Sequence, residues 1–234
     1  ATSEFDITSL LVSGKNVIDA VVLKWSAASY LECQDKFRFT GIFRSVYILV
    51  RPEEHIVDFK ATSDLMGGEG VITLENICGT KFNYSIAGQS GTLAVGEKTQ
   101  IRIQNPQLWT DKSPYLYTLT LTANGEKIEK KIGVRSVKIE NGVFKINGEH
   151  IKLKGVNRHE SDPDTGATVT VEKTLKDIKL MKSLGVNAVR TSHYPDIPEF
   201  YELCDKYGLY ILDEADVETH GAAPCTTGYS WAKW

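Results

Sequence analysis

Three short runs between residues 151 and 221 decide the fold: residues 151–160 read IKLKGVNRHE, residues 186–195 read VNAVRTSHYP and residues 209–221 read LYILDEADVETHG. Each run begins with apolar residues that are typical of a buried strand, and it ends in a cluster of His, Glu, Asp or Arg. Two helical patterns separate the runs. The sequence therefore predicts a β-α-β-α-β series with its polar residues at the strand ends where parallel sheets and (β/α)₈ barrels build active sites.

Both predicted helices have one apolar face that would pack on this parallel sheet. In the first helix, which Gly185 ends, the apolar stripe consists of Leu175, Ile178, Met181 and Leu184. The second helix begins with a predicted capping box over residues 196–199, with Pro198 in its first turn, and it ends at Gly208. Its apolar side consists of Phe200, Leu203, Cys204 and Tyr207.

Upstream of this series the sequence is rich in β-type patterns. Residues 1–51 predict two or three strands, too few for a closed sandwich, and indicate the C-terminal part of a larger β domain. Residues 52–137 contain several short strands at regular spacing, which favours an immunoglobulin-like sandwich. Asn124-Gly125 and Asn141-Gly142 predict tight hairpins, because a type I′ turn needs positive φ at both central residues. Residues 138–234 then form three β/α units, too few to close a barrel, so we expect a segment of a longer polypeptide.

Composition excludes some functions. The 234 residues carry a formal net charge of −3 and are 41% hydrophobic. The sequence has no basic patch that would indicate nucleic-acid binding. It also has no apolar run that is long enough to span a membrane. The four cysteines have no CxxC spacing and two of them lie within apolar patterns, which favours buried free thiols over disulfides or a zinc site. Free thiols fit a reducing compartment and hence a cytoplasmic location, and the alternative is a signal peptide upstream of residue 1. The cysteines are Cys33, Cys78, Cys204 and Cys225.

The strand ends carry the candidate chemistry. Residues 157–160 are either part of a site or a hydrogen-bonded loop with a solvated charge cluster. His193 is either a hydrogen-bond donor to a neutral polar substrate or a satisfied structural histidine. Glu218 and His220 lie two apart on an extended backbone and can share one cation, Mg²⁺ or Mn²⁺ with Zn²⁺ also permitted, although such a pair can also be a surface dipeptide. The nearby carboxylates of Asp213, Glu214 and Asp216 need compensation by such a cation or by Arg190.

The blocks GVNRHE (155–160), NAVRTSHYP (187–195) and CDKYGLYILDEADVETHG (204–221), with YLECQDKFRFTGIFRSVYILVRP (30–52) upstream, are similar to the β-galactosidases of glycoside hydrolase family 2. The resemblance implies three parts: the end of a jelly-roll sugar-binding domain at 1–51, an immunoglobulin-like domain at 52–137 and the start of a catalytic TIM barrel at 138–234.

The resemblance also implies residue roles. Asp35 matches an aspartate that contacts the galactose and a Na⁺ ion, and His159 and His193 match histidines that contact galactosyl hydroxyls. Glu218 and His220 match two ligands of the active-site Mg²⁺. Arg190 matches an arginine beside the nucleophile. A homo-oligomeric parent is implied as well.

Retaining glycosidases need two carboxyl groups about 5–5.5 Å apart, and in this family both glutamates come from later barrel strands, beyond Trp234. Asp213 and Glu214 are poor substitutes, because adjacent side chains on a strand diverge. We therefore expect this chain alone to be inactive. The alternatives are a family 2 β-glucuronidase or β-mannosidase and a non-catalytic carbohydrate-binding or assembly fragment. The block at 30–44 favours a galactosidase, because a glucuronidase needs extra cations for the uronate.

Overall fold

The computed structural model describes residues 3–26, 29 and 34–217. Its first part departs from the expected strands. The described residues before Ile56 form a 3₁₀ turn at Thr8–Leu10 but no strand, and their apolar side chains are exposed, Val21 by 87% and Val50 by 88%. A strand needs a hydrogen-bonded neighbour and a layer to cover its apolar face, and the described residues offer these segments neither.

A seven-stranded sandwich follows, as its strand spacing predicts. One sheet has the order β1-β2-β5 and the other has the order β4-β3-β6-β7. The bounds are β1 Ile56–Met66, β2 Glu69–Gly79, β3 Phe82–Ile86, β4 Gln89–Leu93, β5 Lys98–Ile103, β6 Tyr117–Ala123 and β7 Glu126–Ile132. Alternate residues of each strand fill the space between the sheets, among them Ile72, Leu74, Phe82, Leu119 and Leu121. The sequence patterns miss β4, because its QSGTL lacks the apolar alternation of its neighbours.

Asn-Gly pairs form three of the tight turns between neighbouring strands. Asn124 and Gly125 have φ of 47° and 82° between β6 and β7, and Asn141 and Gly142 have φ of 51° and 77°, so both predicted turns are confirmed. A third pair, Asn147-Gly148, repeats the geometry and is not anticipated from the sequence. These turns build a small antiparallel sheet from β8 Val137–Glu140, β9 Val143–Ile146 and β10 Glu149–His150.

The β-α-β-α-β series is present as predicted. Strands β11 Gly155–Arg158, β12 Ala188–Thr191 and β13 Tyr210–Leu212 lie side by side in this order and are parallel. Helix α1 spans Val171–Ser183 and helix α2 spans Pro198–Tyr207. Together the two helices and the sheet enclose a core that includes Ile178, Met181, Val189, Phe200 and Cys204.

Two helix details differ from expectation. Leu184 is 73% exposed rather than part of the stripe of α1, because the helix ends at Ser183 and the backbone has left the helical rotation that buries Ile178 and Met181. No capping box forms at α2, whose N-cap is Ile197 without a side-chain cap. Asp196 is not available for capping, because its carboxylate accepts a hydrogen bond from Arg158.

Other helix details are as expected. Pro198 occupies the first turn of α2, and Gly208 ends the helix with a φ of 75°, in the left-handed region that favours glycine. Cys204 is a fully buried free thiol, and burial raises its pKa. Cys78 is also free, whereas Cys33 and Cys225 lie outside the described residues.

Trp109 joins the sandwich to the parallel sheet. Its ring is 1% exposed and packs edge-on against Tyr210 of β13, with 5.4 Å between ring centroids. Its Nε1 donates a hydrogen bond to the backbone oxygen of Asp205 in α2 over 2.7 Å, and the Arg135 guanidinium lies 4.9 Å from the ring. One indole therefore contacts both the last helix and the last strand of the barrel segment.

Trp109→Ala should lower the free energy of unfolding by about 3–5 kcal/mol, because it opens a cavity at this junction and removes the hydrogen bond to the backbone oxygen of Asp205. Trp25→Ala, at a ring that is 64% exposed, is the matched control and should change it by no more than about 0.5 kcal/mol. Urea unfolding followed by circular dichroism measures both. Equal effects would contradict this account of the junction.

Candidate functional site

The ends of β11 and β12 bring two predicted site residues together. His159 follows β11 and His193 follows β12, and their rings pack edge-to-face with centroids 5.5 Å apart and an interplanar angle of 78°. Parallel pairing explains the convergence, since Asn157 is level with Arg190 and Arg158 with Thr191. We call the surface around His159 and His193 the mouth.

Arg190, His193 and Glu214 form one hydrogen-bonded group at the mouth. Glu214 follows β13, and its Oε1 accepts a hydrogen bond from Arg190 Nε. Its Oε2 lies 2.9 Å from His193 Nδ1, and Arg190 Nη2 lies 3.3 Å from the same nitrogen. The hydrogen bond from Arg190 lowers the pKa of Glu214, and His193 adds to this effect. Glu214 is thus held as a carboxylate between two donors.

His159 is held in its neutral form. Burial lowers its pKa below the ordinary value, and electrostatic interactions with His193 and Arg190 lower it further, while the carboxylate of Asp35 acts in the opposite direction. Asp35, an exposed residue of the N-terminal segment, is therefore within electrostatic reach of the mouth. A neutral imidazole offers one donor and one acceptor nitrogen, and a sugar hydroxyl can pair with either of them because it both donates and accepts hydrogen bonds.

The residues beside Asp35 also reach the mouth, which the sequence does not single out. Lys36 Nζ lies 2.9 Å from Asp216 Oδ1 and 4.5 Å from the centre of the Tyr194 ring. Gln34 Nε2 donates to the same carboxylate oxygen over 2.6 Å. The signal for both was their place in the block around Asp35. This segment is therefore attached to the polar residues that follow β12 and β13.

A second attachment uses Arg44. Its Nη2 donates to Glu160 Oε2 over 2.8 Å and to the backbone oxygen of Pro195 over 2.9 Å. Glu160 is 3% exposed, and its other oxygen accepts from the backbone N–H of Ile197. Of the two interpretations of the polar cluster 157–160, Glu160 follows the structural one.

Arg158 lies beneath the mouth and is also structural. Its guanidinium donates to Asp196 over 2.6 Å and to Asp177 over 3.1 Å, and it stacks 5.0 Å from the centre of the Phe200 ring. Burial raises the pKa of Asp196 to about 7 against the opposing attraction of Arg158. Desolvation prevails because Asp196 Oδ1 is buried and has no hydrogen-bond partner in the described part of the chain.

The carboxylates that follow β13 are compensated by protein groups. Asp213 accepts hydrogen bonds from Thr191 Oγ1 over 3.0 Å and from the Tyr201 hydroxyl over 2.7 Å. Glu214 and Asp216 have the cationic partners already described. Asp213 and Glu214 thus use different partners, so they do not form a facing pair of carboxyl groups, as expected for neighbours on one strand.

The predicted metal ligands Glu218 and His220 lie outside the described residues. Within residues 3–26, 29 and 34–217, no group of three or more His, Cys, Asp or Glu is placed to hold a metal ion. Among the helices of this same part of the chain, none has the length and apolarity needed to cross a bilayer.

Asp196 gives stability a specific pH dependence. Its folded-state pKa of about 7 lies above the ordinary value of 3.8. The folded chain therefore binds the Asp196 proton more tightly than the unfolded chain does. The contribution of Asp196 to the free energy of unfolding falls as pH rises from 3.8 to about 7. Asp196→Asn removes this loss, so the stability of the variant relative to the wild type should rise by roughly 4 kcal/mol between pH 4 and pH 8. Urea unfolding at several pH values measures the change.

The exposed Asp164 supplies the control for this experiment. Asp164→Asn should leave the stability difference from wild type nearly constant over the same pH range. An Asp196→Asn curve that stays parallel to the wild-type curve would show that Asp196 is not protonated near neutrality.

Comparison with protein families gives three matches in chain order. Residues 1–52 match the sugar binding domain of glycosyl hydrolases family 2, residues 56–135 match a second model of glycosyl hydrolases family 2, and residues 137–232 match the TIM barrel domain of that family. The three matches together cover nearly all of the chain.

Curated relatives have the name beta-galactosidase. The protein of Staphylococcus xylosus is 44% identical over 230 residues, which are 94% of this chain and 23% of that protein. The protein of Lactococcus lactis is 41% identical over 236 residues, which are 95% of this chain and 24% of that protein. The chain thus spans about a quarter of the length of these relatives.

Similar solved structures are β-glucuronidases. The beta-D-glucuronidase of Dictyoglomus thermophilum has a TM-score of 0.71 at 26% identity, over 93% of this chain and 36% of that one. Beta-glucuronidase 3 of Bacteroides uniformis has a TM-score of 0.70 at 27% identity, over 79% of this chain and 26% of that one. With the family matches and the convergent strand ends, these likenesses show that the chain belongs to glycoside hydrolase family 2.

Proposed function

We propose that this chain is part of a retaining β-galactosidase that hydrolyses terminal non-reducing β-D-galactosyl bonds, such as that of lactose. The observation that carries the proposal is the pair of imidazoles at the mouth, His159 and His193, next to cations that already have carboxylate partners. Such a surface suits a neutral, hydroxyl-rich ring. The names of the curated relatives support the same substrate class.

The charge pattern favours galactose over glucuronate. A uronate carboxylate requires a cation to bind it, because a buried anion without a partner is costly. At the mouth, Arg190 is paired with Glu214, Lys36 with Asp216 and Arg44 with Glu160. A uronate bound by any of them would have to share that cation with the carboxylate it already contacts. The solved β-glucuronidases are also less similar in sequence, at 26–28% identity.

In the proposed reaction this chain binds and orients the sugar. His159 and His193 hydrogen-bond galactosyl hydroxyls, Asp35 contacts the sugar from the N-terminal segment, and Arg190 orients the nucleophile. The nucleophile and the acid/base are glutamates that the family resemblance locates beyond Trp234, so the 234 residues alone are inactive. Neither Asp213 nor Glu214 replaces them, since each is engaged by its own protein partners.

The proposed metal ions have ligands of suitable chemistry. Glu218 and His220 offer a carboxylate and an imidazole for Mg²⁺ or Mn²⁺, and Asp35 offers an exposed carboxylate for Na⁺. When bound, these ions supply positive charge beside the sugar. The proposal includes a cytoplasmic, homo-oligomeric parent protein. The buried free thiol of Cys204 supports the reducing compartment.

A chimera tests the function. These 234 residues replace the matching segment of the Staphylococcus xylosus relative, and the product is assayed with nitrophenyl β-D-galactoside and nitrophenyl β-D-glucuronide. We expect hydrolysis of the galactoside with a kcat/KM at least about 100-fold higher than for the glucuronide, as expected when a site has no partner for the additional charge. His159→Ala should lower galactoside kcat/KM by about tenfold or more, whereas His150→Ala, at an exposed position in β10, should not.

Circular dichroism establishes that the chimera and its variants are folded. A folded chimera that prefers the glucuronide, or one whose activity is indifferent to His159→Ala, would contradict the proposal.

A further inference from the structure

We propose that Glu214 is a positioning residue that fixes the tautomer of His193: its carboxylate holds the proton on Nδ1, so that Nε2 carries the lone pair of the ring. The relevance of this tautomer to a sugar rests on the proposed function, but its existence does not.

Among the described residues, Glu214 and Arg190 both lie within hydrogen-bond distance of His193 Nδ1. Glu214 Oε2 lies 2.9 Å away and can only accept a hydrogen bond, whereas Arg190 Nη2 lies 3.3 Å away and can only donate one. If Nδ1 carried the lone pair, that lone pair would face a carboxylate oxygen at hydrogen-bond distance, which is repulsive. If Nδ1 carries the proton, it donates to the nearer and negatively charged partner. The shorter, charge-assisted contact decides in favour of Nδ1–H.

Arg190 strengthens this arrangement. Its Nε donates to Oε1 of the same carboxylate, so the guanidinium compensates the charge of Glu214 and orients the carboxylate with Oε2 toward the imidazole. Arg190 Nη2 then lies 3.3 Å from His193 Nδ1 because both residues contact the same carboxylate, and with the proton on Nδ1 the two nitrogens do not form a hydrogen bond. One carboxylate thus holds both an arginine and a histidine of the mouth.

The backbone of Glu214 is itself fixed. Its N–H donates to Thr191 Oγ1 over 2.9 Å, and that hydroxyl donates to Asp213 Oδ1 over 3.0 Å. Thr191 is fully buried at the end of β12, next to the strand that precedes Glu214. The carboxylate is therefore built into the end of the sheet. This is the arrangement by which a third group sets the orientation and tautomer of a functional histidine.

The tautomer of His193 determines whether its other ring nitrogen, Nε2, donates or accepts a hydrogen bond at the mouth. With the proton on Nδ1 engaged by Glu214, the neutral form of His193 accepts hydrogen bonds at Nε2. Under the proposed function, it therefore recognises a galactosyl hydroxyl as a donor. His159, whose ring edge packs against His193, remains the second neutral imidazole at the mouth.

Long-range ¹H–¹⁵N correlation NMR of the 234-residue chain tests the tautomer directly. Spectra are recorded at about pH 8.5, above the usual range of histidine pKa values, and a His193→Gln variant identifies the signals. We expect the Nδ1–H form of wild-type His193 to exceed the Nε2–H form by at least about tenfold. A wild-type chain with mainly Nε2–H overturns the proposal without any further variant.

Variants separate positioning from a general structural effect. In Glu214→Gln the single amide oxygen serves Arg190 and the amide N–H₂ group faces Nδ1, so the preference should reverse to Nε2–H. Glu214→Asp keeps a carboxylate and should retain mainly Nδ1–H. Asp213→Asn is the matched control, because this neighbouring carboxylate contacts Thr191 and Tyr201, and it should leave His193 unchanged. Equal spectra for Glu214→Gln and wild type overturn the proposal.

The experiment is independent of the test of function. An Nδ1–H tautomer that depends on Glu214, in a protein whose chimera fails to hydrolyse galactosides, leaves the positioning role intact and removes only its link to galactose. An active chimera together with an Nε2–H tautomer supports the proposed function and overturns the positioning role of Glu214.

Discussion

Parallel pairing of three short strands is the constraint on which the rest of the structure depends. The register sets Asn157 level with Arg190 and Arg190 level with Leu212, so residues more than 50 positions apart in sequence end at the same edge. The strands are only four, four and three residues long. Their alignment is maintained by helices α1 and α2, which cover one face with Ile178, Met181 and Phe200. Without that cover, the strands would not stay aligned and the two histidines of the mouth would not be held in contact.

Charge compensation is the second organising feature of this edge. Arginines and lysines at the mouth are paired with carboxylates from other segments, and two of the pairs, Lys36–Asp216 and Arg44–Glu160, join the N-terminal segment to the strand ends. Below them, Arg158 and Asp196 form a buried pair in which the carboxyl group has a raised pKa. In the part of the chain that the structure describes, Arg190, Lys36 and Arg44 are thus each paired with a carboxylate, which leaves a polar surface suited to hydroxyl groups.

The sequence predicts most of the elements because local chemistry determines them. Asn-Gly pairs specify their turns through the positive φ they tolerate, and Gly208 ends α2 for the same reason. The meeting of His159 and His193 follows from the rule that parallel strands deliver their ends to one edge. These features need no knowledge of distant residues.

Features that depend on distant partners could not be predicted. Asp196 stands at the position of a predicted helix cap, but its carboxylate instead accepts a hydrogen bond from the buried Arg158, 38 positions away. Leu184 fits the helical period, but the helix ends one residue earlier. The apolar residues before Ile56 have a strand-like sequence, and only a neighbouring strand would make them one. No sequence motif predicts the contacts of Gln34 and Lys36 with Asp216.

The Trp109 junction bears on where this polypeptide can be divided. The last turn of α2 depends on groups from elsewhere in the chain: the indole N–H serves the Asp205 carbonyl, and the Lys182 ammonium bridges the backbone oxygens of Asp111 and Gly208. A polypeptide cut between the sandwich and β8 would lose the indole and expose the ring of Tyr210. The barrel segment is therefore not an autonomous module, and any shortened version of it has to include the loop around Trp109 as well.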